Sequence, residues 1–255
     1  MFGGRLLRIY LTGDLAVERG EQLLRDADLG GRQGRLALVY LVAERERAVT
    51  QSELAELLWS DSLPPSWPVA LSAVISKLRQ KLATLGLDRE RIIANAFRCY
   101  QFRPPAEVWI DIEAAADAVH EAEGAVLANH PEAAYGPSLI ATTIARRPFL
   151  VGEDASWVMT RRGRLRDILV RALDCRVEAL LWNGELALAQ DQARAAVELE
   201  PFRESGYRRL MQVLVKKGDR AEAVRVYNDC RRLLADELGV APSTETESLR
   251  RALIG

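Results

Sequence analysis

Residues 65–85 read PSWPVALSAVISKLRQKLATL, and the fold of the first part of the chain turns on the period of this stretch. Leu71, Ile75, Leu78, Leu82 and Leu85 recur at alternating spacings of four and three, the stripe of an amphipathic helix packed along one side. Pro68 is tolerated in the first turn, where its missing N–H removes no helical bond. Off the stripe lie Ser72, Ala73, Ser76, Lys77, Gln80 and Lys81, with Arg79 at its margin. No acidic residue stands between Asp61 and Asp88. A helix with a leucine edge inside and a small, polar, cationic face outside suits the major groove of a duplex. Its lysines attract phosphate, and its short side chains permit close approach to base edges. Taken alone, the same face serves equally well as a solvated basic surface.

The flanking residues narrow that choice. Upstream, Thr50-Gln51-Ser52-Glu53 has the spacing of a capping box and opens a helix with Leu54, Leu57 and Leu58 inward. A loop from Ser60 to Trp67, carrying Pro64 and Pro65, joins it to the cationic helix. Earlier still, Leu36, Val39, Tyr40 and Ala43 mark a helix over about 34–45. Gly30-Gly31-Arg32-Gln33-Gly34-Arg35 before it lacks the Gly-Lys-Ser/Thr of a phosphate loop, so it reads as a flexible lead into that helix. Arg32 and Arg35 are either phosphate contacts or solvated. Leu7, Ile9 and Leu11 alternate with Arg8 and Tyr10, predicting a strand, and 15–17 with the Gly20 region predicts a second strand and turn. Downstream, Arg91–Ala94 and Cys99–Phe102 read as two strands around Asn95-Ala96-Phe97-Arg98, a hairpin whose Arg98 can reach a backbone phosphate or the minor groove. Helix, connector, cationic helix and hairpin together make a winged helix-turn-helix. Pro104-Pro105 closes it.

The remainder reads as helical, with stretches near 111–128, 132–146, 155–182, 185–199, 203–217, 219–237 and 244–253. Asp111 and Glu113 resemble a catalytic carboxylate pair, but at a first helical turn capping and the macrodipole explain them better. Gly184-Glu185-Leu186-Ala187-Leu188-Ala189 aligns with Gly218-Asp219-Arg220-Ala221-Glu222-Ala223 at an offset of 34 residues, the period of a tetratricopeptide unit. Ala187 with Ala221, and Ala189 with Ala223, are then the small residues at which paired helices approach. An α-solenoid fragment of about three helix pairs follows. The Arg161–Arg166 cluster suits an acidic partner or DNA, or else solvent. Trp157 and Trp182 read as core residues, and Tyr207 is open.

Composition sets outer limits. The 255 residues, 49% hydrophobic and 28% charged, suffice for two globular domains with real cores. Residues 1–105 hold 15 Lys and Arg against 12 Asp and Glu, so the front is mildly basic and the back mildly acidic. Cys99, Cys175 and Cys230 are isolated and read as reduced thiols, mostly buried, rather than disulfides or metal ligands. No long apolar run precedes Asp14, and no segment nears the length of a spanning helix, so no signal peptide and no membrane partner are expected and a cytoplasmic location is. His120 and His130, the two histidines, stand in no catalytic or zinc-binding pattern, and no Gly-x-Ser-x-Gly or Walker motif occurs. No enzyme activity, cofactor or metal is expected.

Particular runs carry a resemblance. LRIYLTG (7–13), GRQGRLALVYL (31–41), SELAELLW (52–59), ISKLRQKL (75–82) and CYQF (99–102) are similar to the Streptomyces antibiotic regulatory protein (SARP) activators. So are IARRPFL (144–150), ELEPFRESGYRRLM (198–211) and GDRAEAVRVYNDCRRLLADELGVAPSTETE (218–247). The resemblance implies a mainly α protein with two domains. The first, 1–105, is an OmpR-like winged helix-turn-helix: a small β-sheet, three helices and a wing hairpin. The second, 106–255, is an all-α tetratricopeptide-like bacterial transcriptional activation domain. It further implies double-stranded promoter DNA, read as direct repeats near the −35 region, and RNA polymerase holoenzyme (sigma and alpha or beta subunits) as partners. A homodimer on DNA and secondary-metabolite, antibiotic biosynthetic genes as targets belong to the same expectation. The wing turn of such proteins usually carries a glycine, whose place Arg98 takes here, and the recognition helix is leaner in arginine than its relatives. The residues expected at the DNA are Ser72, Ser76, Lys77, Arg79, Lys81 and Arg98. The rival readings are a tetratricopeptide scaffold with a vestigial helix-turn-helix, and a ligand-responsive regulator.

Overall fold

The computed structural model describes residues 6–59 and 62–254. Ser60 and Asp61 of the expected loop, and the first five residues, lie outside that description. Two compact units form: Met1–Glu113 with Pro148–Arg161, and Ala114–Arg147 with Arg162–Gly255.

The first unit starts with a meander. β1 (Leu7–Tyr10), β2 (Ala16–Arg19) and β3 (Gln22–Arg25) pair antiparallel in order. A fourth strand, β7 (Val108–Ile110), runs parallel to β1 on its other side. The residues after Pro105 are thus a strand of the front sheet before they are a helix. The alternation of Leu7 and Ile9 buries both side chains on one face, as a half-covered sheet requires. Directly after β7, Asp111 is fully buried. Its carboxylate accepts from Leu11 N–H and Thr12 N–H, each at 2.9 Å, from the Thr12 hydroxyl at 2.7 Å and from Ile112 N–H at 2.8 Å. The capping role holds for Ile112, and the same carboxylate also closes the end of β1.

Three helices follow the meander: α1 (Gly31–Ala43), α2 (Gln51–Leu58) and α3 (Trp67–Ala83). Thr50 caps α2, its hydroxyl accepting from Glu53 N–H at 3.1 Å. All five residues of the α3 stripe, Leu71 through Leu85, are buried. In the glycine-rich stretch Gly30 and Gly31 supply positive φ for the lead into α1, whereas Gly34 serves packing. A Cβ on Gly34 would stand 1.7 Å from the Leu29 carbonyl oxygen, with Leu78 of α3 on its other side at 3.6 Å. Only glycine lets α1 start this close to the turn before it.

A second sheet holds the wing. β4 (Val49–Thr50), β6 (Cys99–Phe102) and β5 (Ile93–Ala96) pair antiparallel in that spatial order. The strands run to Ala96 and resume at Cys99, so the turn is two residues, shorter than the four expected. The segment Pro148–Arg161 completes the unit. Gly13 N–H donates to the Pro148 carbonyl at 2.7 Å, and Trp157 packs edge-on against Tyr40 and Phe149. The Glu153 carboxylate, 5% exposed, accepts from Arg32 at 2.6 and 2.9 Å and from Arg35 at 2.9 Å. These arginines are therefore ion-paired within the unit rather than merely solvated.

The second unit is built of helices: α4 (Asp111–Leu127, its first turn in the first unit), α5 (Tyr135–Ala145), α6 (Ser156–Trp182, from Arg162 on), α7 (Leu186–Leu199), α8 (Glu204–Lys216), α9 (Arg220–Leu238) and α10 (Thr244–Ile254). The 34-residue repeat extends to backbone bonding. Glu185 N–H donates to the Leu180 carbonyl and Asp219 N–H to the Leu214 carbonyl, both at 2.9 Å, each beside a glycine with positive φ. Ala189 and Ala223 are fully buried at the helix contacts, whereas Ala187 and Ala221 are exposed and have no part in the approach. Tyr207, Met211, Leu214, Val226 and Tyr227 form the core around them. Trp182 is 63% exposed, against the expectation of a core residue. Cys175 and Cys230 are buried thiols, pushed by that burial to about 12 and about 11. No helix among the described residues is long and apolar enough to cross a membrane.

Candidate nucleic-acid interface

The geometry of α3 divides its residues cleanly. With Leu71, Ile75, Leu78 and Leu82 turned into the core, Ser72, Ala73, Ser76, Lys77, Gln80 and Lys81 are all exposed on the other side. Among the described residues, the Lys77 and Lys81 ammonium groups have no ion pair or hydrogen bond, so their charge faces water. The face is flat as well as cationic, because its central positions are serine and alanine.

Arg79 is placed differently from the expectation of a DNA contact. Its Nε and Nη2 donate at 3.0 and 2.5 Å to the Ile93 carbonyl of β5, and its Nη1 lies 3.5 Å from Glu90. With its side chain only 16% exposed, the guanidinium ties the last turns of α3 to the wing. The reason lies in its position at the edge of the leucine stripe, where a long side chain lies along the protein surface and its head meets the nearest unpaired carbonyl. Burial raises the Tyr100 hydroxyl above its ordinary value, and the Arg79 charge partly offsets that rise.

The wing is fixed at its other end by α2. Gln51 N–H, at the first turn of that helix, donates at 2.9 Å to the Arg98 carbonyl. In the turn itself Phe97 has φ 51° and Arg98 φ 59°, so both residues are left-handed, the pattern of a type I′ turn. No glycine is present to relieve it. The Arg98 side chain is exposed and unpaired among the described residues, as a phosphate or groove contact needs. Beside the wing, Arg79, Glu90, Arg91, Ala94, Asn95 and Arg103 line an open cleft of about 590 Å³.

Behind this surface a charged network sets α1 against α2. The Tyr40 hydroxyl donates to Glu53 at 2.5 Å, and Arg47 bridges Glu53 and Glu44. Burial, with the adjacent Glu53 carboxylate, pushes Tyr40 up to about 12. The Arg47 hydrogen bond holds Glu53 below the usual carboxylate range against the opposing effect of burial. Arg161 also joins, bonding to Glu44 and the Ala43 carbonyl, and Arg166 lies 3.9 Å from Glu200, so the arginine cluster is not one continuous basic patch. Among the described residues no group of three His, Cys, Asp or Glu side chains is placed to hold a metal ion.

Phe97 is the residue that sequence reasoning passed over. It is 99% exposed at the tip of the wing. The available signal was an aromatic in a polar turn, between Ala96 and Arg98.

The sequence pattern of the bacterial transcriptional activator domain matches residues 110–254. The chain belongs to the SARP family of transcriptional activators. Over 97% of its length, this SARP chain is 30% identical to the regulatory protein AfsR of Streptomyces coelicolor and 28% identical to AfsR of Streptomyces griseus. It spans 24% of the length of each of those relatives. Its fold is that of Mycobacterium tuberculosis EmbR, solved in complex with a low-affinity phosphopeptide. The TM-score is 0.88 over 98% of this chain and 65% of EmbR, at 23% identity. The family is regulatory and not an enzyme family. The mainly α architecture, a winged helix-turn-helix followed by tetratricopeptide-like helices, is the one the residue patterns indicated.

Proposed function

We propose that this SARP chain is a sequence-specific DNA-binding activator that seats α3 in the major groove of promoter DNA and lays its wing along the adjacent backbone or minor groove. One observation carries the reading: the exposed face of α3 combines short side chains with the unpaired charges of Lys77 and Lys81. A helix that needed only solubility has no reason to keep acidic residues off this face. In this reading Ser72 and Ser76 approach base edges, Lys77 and Lys81 hold phosphates, Arg98 acts from the wing, and Arg79 positions the wing. The family membership supports transcription activation as the outcome. Direct repeats near the −35 region, a homodimer on them, recruitment of RNA polymerase by the helical unit, a cytoplasmic location, and secondary-metabolite genes as targets belong to the same proposal.

The test is selection of bound duplexes from a random pool by the full chain, with affinity then measured against salt. The reading expects enrichment of a direct repeat spaced near one helical turn and a steep loss of affinity with added salt. A chain that enriches nothing and shows no salt-dependent duplex binding is a protein-binding scaffold instead.

A further inference from the structure

A two-residue hairpin loop with both φ positive is the site at which Asn-Gly is preferred, because side chains beyond Asn and Asp are strained there. This chain places Phe97 and Arg98 in that loop, at φ 51° and 59°. Backbone strain of this kind persists where the surroundings enforce it and clusters at functional sites. Here the enforcement is visible: β5 is bonded through Ile93 to Arg79 of α3, and the Arg98 carbonyl is bonded to Gln51 N–H of α2. The hairpin is held rigid at both ends, and what it presents is a phenyl ring 99% exposed to water. That ring adds nothing to the core. A rigid stem with an apolar tip and a neighbouring cation is the design of a minor-groove wedge, in which an aromatic enters a base step while arginine meets the narrow groove's negative potential.

We propose that Phe97 is such a wedge: on binding, its ring inserts at a base step of the minor groove flanking the site read by α3, unstacking it and bending the duplex, with Arg98 on the adjoining backbone or groove floor. This rests on the DNA-binding reading and adds to it a residue that reads deformability rather than base identity. The occupant is duplex DNA rather than protein because Arg98 at the tip and the exposed Lys77 and Lys81 of α3 suit a polyanion. At the base of the hairpin Arg91 and Arg103 line the cleft with Glu90, whose charge is met by Arg79.

The test uses the full chain and the duplex recovered by selection, with 2-aminopurine at successive positions flanking the α3 site. Phe97→Asn introduces a residue that favours the left-handed region, so its melting temperature is expected to rise. Its affinity is expected to fall by about tenfold or more, on the scale of one lost aromatic–base stack. The salt dependence stays that of the parent, because no ionic contact is lost. The 2-aminopurine signal and the bend measured by gel mobility should both diminish. Arg98→Ala contrasts with it, lowering the salt slope by about one. Opposite signs for stability and binding separate a wedge from a merely structural residue. Parental affinity and bending in Phe97→Asn overturn the wedge and leave the DNA reading standing. Absence of duplex binding by the parent chain overturns both.

Discussion

Two neighbouring cations on α3 that composition treats alike do different work. Lys77 is unpaired and exposed, so Lys77→Ala is expected to leave the melting temperature within a degree or two of the parent. It should weaken binding across all sequences and reduce the salt slope by about one, measured by titrating labelled duplex at several salt concentrations. Arg79 donates twice to one carbonyl at the α3–wing junction. Arg79→Ala leaves that carbonyl without its donor and is expected to destabilise the first unit by about 2 kcal/mol, read by thermal or urea unfolding. An unchanged midpoint refutes that assignment. Glu153 offers a pH test. Burial alone would raise its pKa, but the hydrogen bonds from Arg32 and Arg35 outweigh it and hold the carboxyl below its ordinary 4.5. A carboxylate with a depressed folded-state pKa stabilises the protein above the unfolded value, and the contribution is lost as pH falls through the folded value. Glu153→Gln is therefore expected to lower stability at pH 7 by roughly 2 kcal/mol, less than for a fully buried pair because Arg32 remains 53% exposed. The difference from the parent should shrink as pH drops below about 4.5. A difference that is constant with pH excludes the ion cluster as its cause.

At the scale of elements, the amphipathic period is the strongest signal the chain carries, and it places α3, α2 and the helices of the second unit within a few residues of their ends. Periodicity is local, so it reports a helix and its buried face directly. It reports nothing about which turn a neighbour occupies, and the failures fall there. The Gly30–Gly34 stretch resembles a loop lead-in because glycine's freedom is its usual meaning, yet at Gly34 its smallness matters. Gly34→Ala is expected to destabilise the first unit by about 3 kcal/mol, since the Cβ meets the Leu29 carbonyl and the start of α1 must shift from the turn before it. Leu78, fully buried on the facing side, should tolerate charge no better. Leu78→Asp is expected to abolish the cooperative melt of this unit by circular dichroism, and a parental transition in that variant refutes the packing. The 34-residue repeat was legible down to its glycines, because a left-handed helix end demands them. The roles of its alanines were legible only in half, since Ala187 and Ala189 differ in face and not in composition. On the outer face of α3, the exposure of the lysines and serines followed from the leucine stripe. Arg79 and Phe97 did not, because a long side chain's destination and a turn's length depend on the partner strand.

At the scale of the whole chain, sequence order and compactness part company. Reading Pro104-Pro105 as the end of one domain overlooks β7, three residues too short for a period, and the return of Pro148–Arg161 more than a hundred residues after β1. Neither has a local signature: the return is marked by one carboxylate, Glu153, and two aromatics, Phe149 and Trp157, whose partners Arg32, Arg35 and Tyr40 are distant in the chain. The winged helix-turn-helix unit therefore depends on residues encoded within the activation domain's own span, since the family pattern begins at 110. A fragment of residues 1–113 lacks the Glu153 carboxylate, the Trp157 ring against Tyr40, the Pro148 carbonyl on Gly13 and the Arg161 contact to Glu44. Loss of a half-buried aromatic packing contact and a partly exposed ion cluster around a buried carboxylate together costs about 3–5 kcal/mol. For a unit of this size that is a fall of at least about 10 °C in melting temperature relative to the same unit in the full chain. A peptide of residues 148–161 added in trans should restore part of it in a saturable way, because a ligand that binds only the folded state shifts unfolding by mass action. The peptide with Glu153→Ala and Trp157→Ala should not. If the 1–113 fragment melts at the temperature of the full chain's first unit and ignores the peptide, the returning segment is a passenger and the boundary after the wing is the physical one.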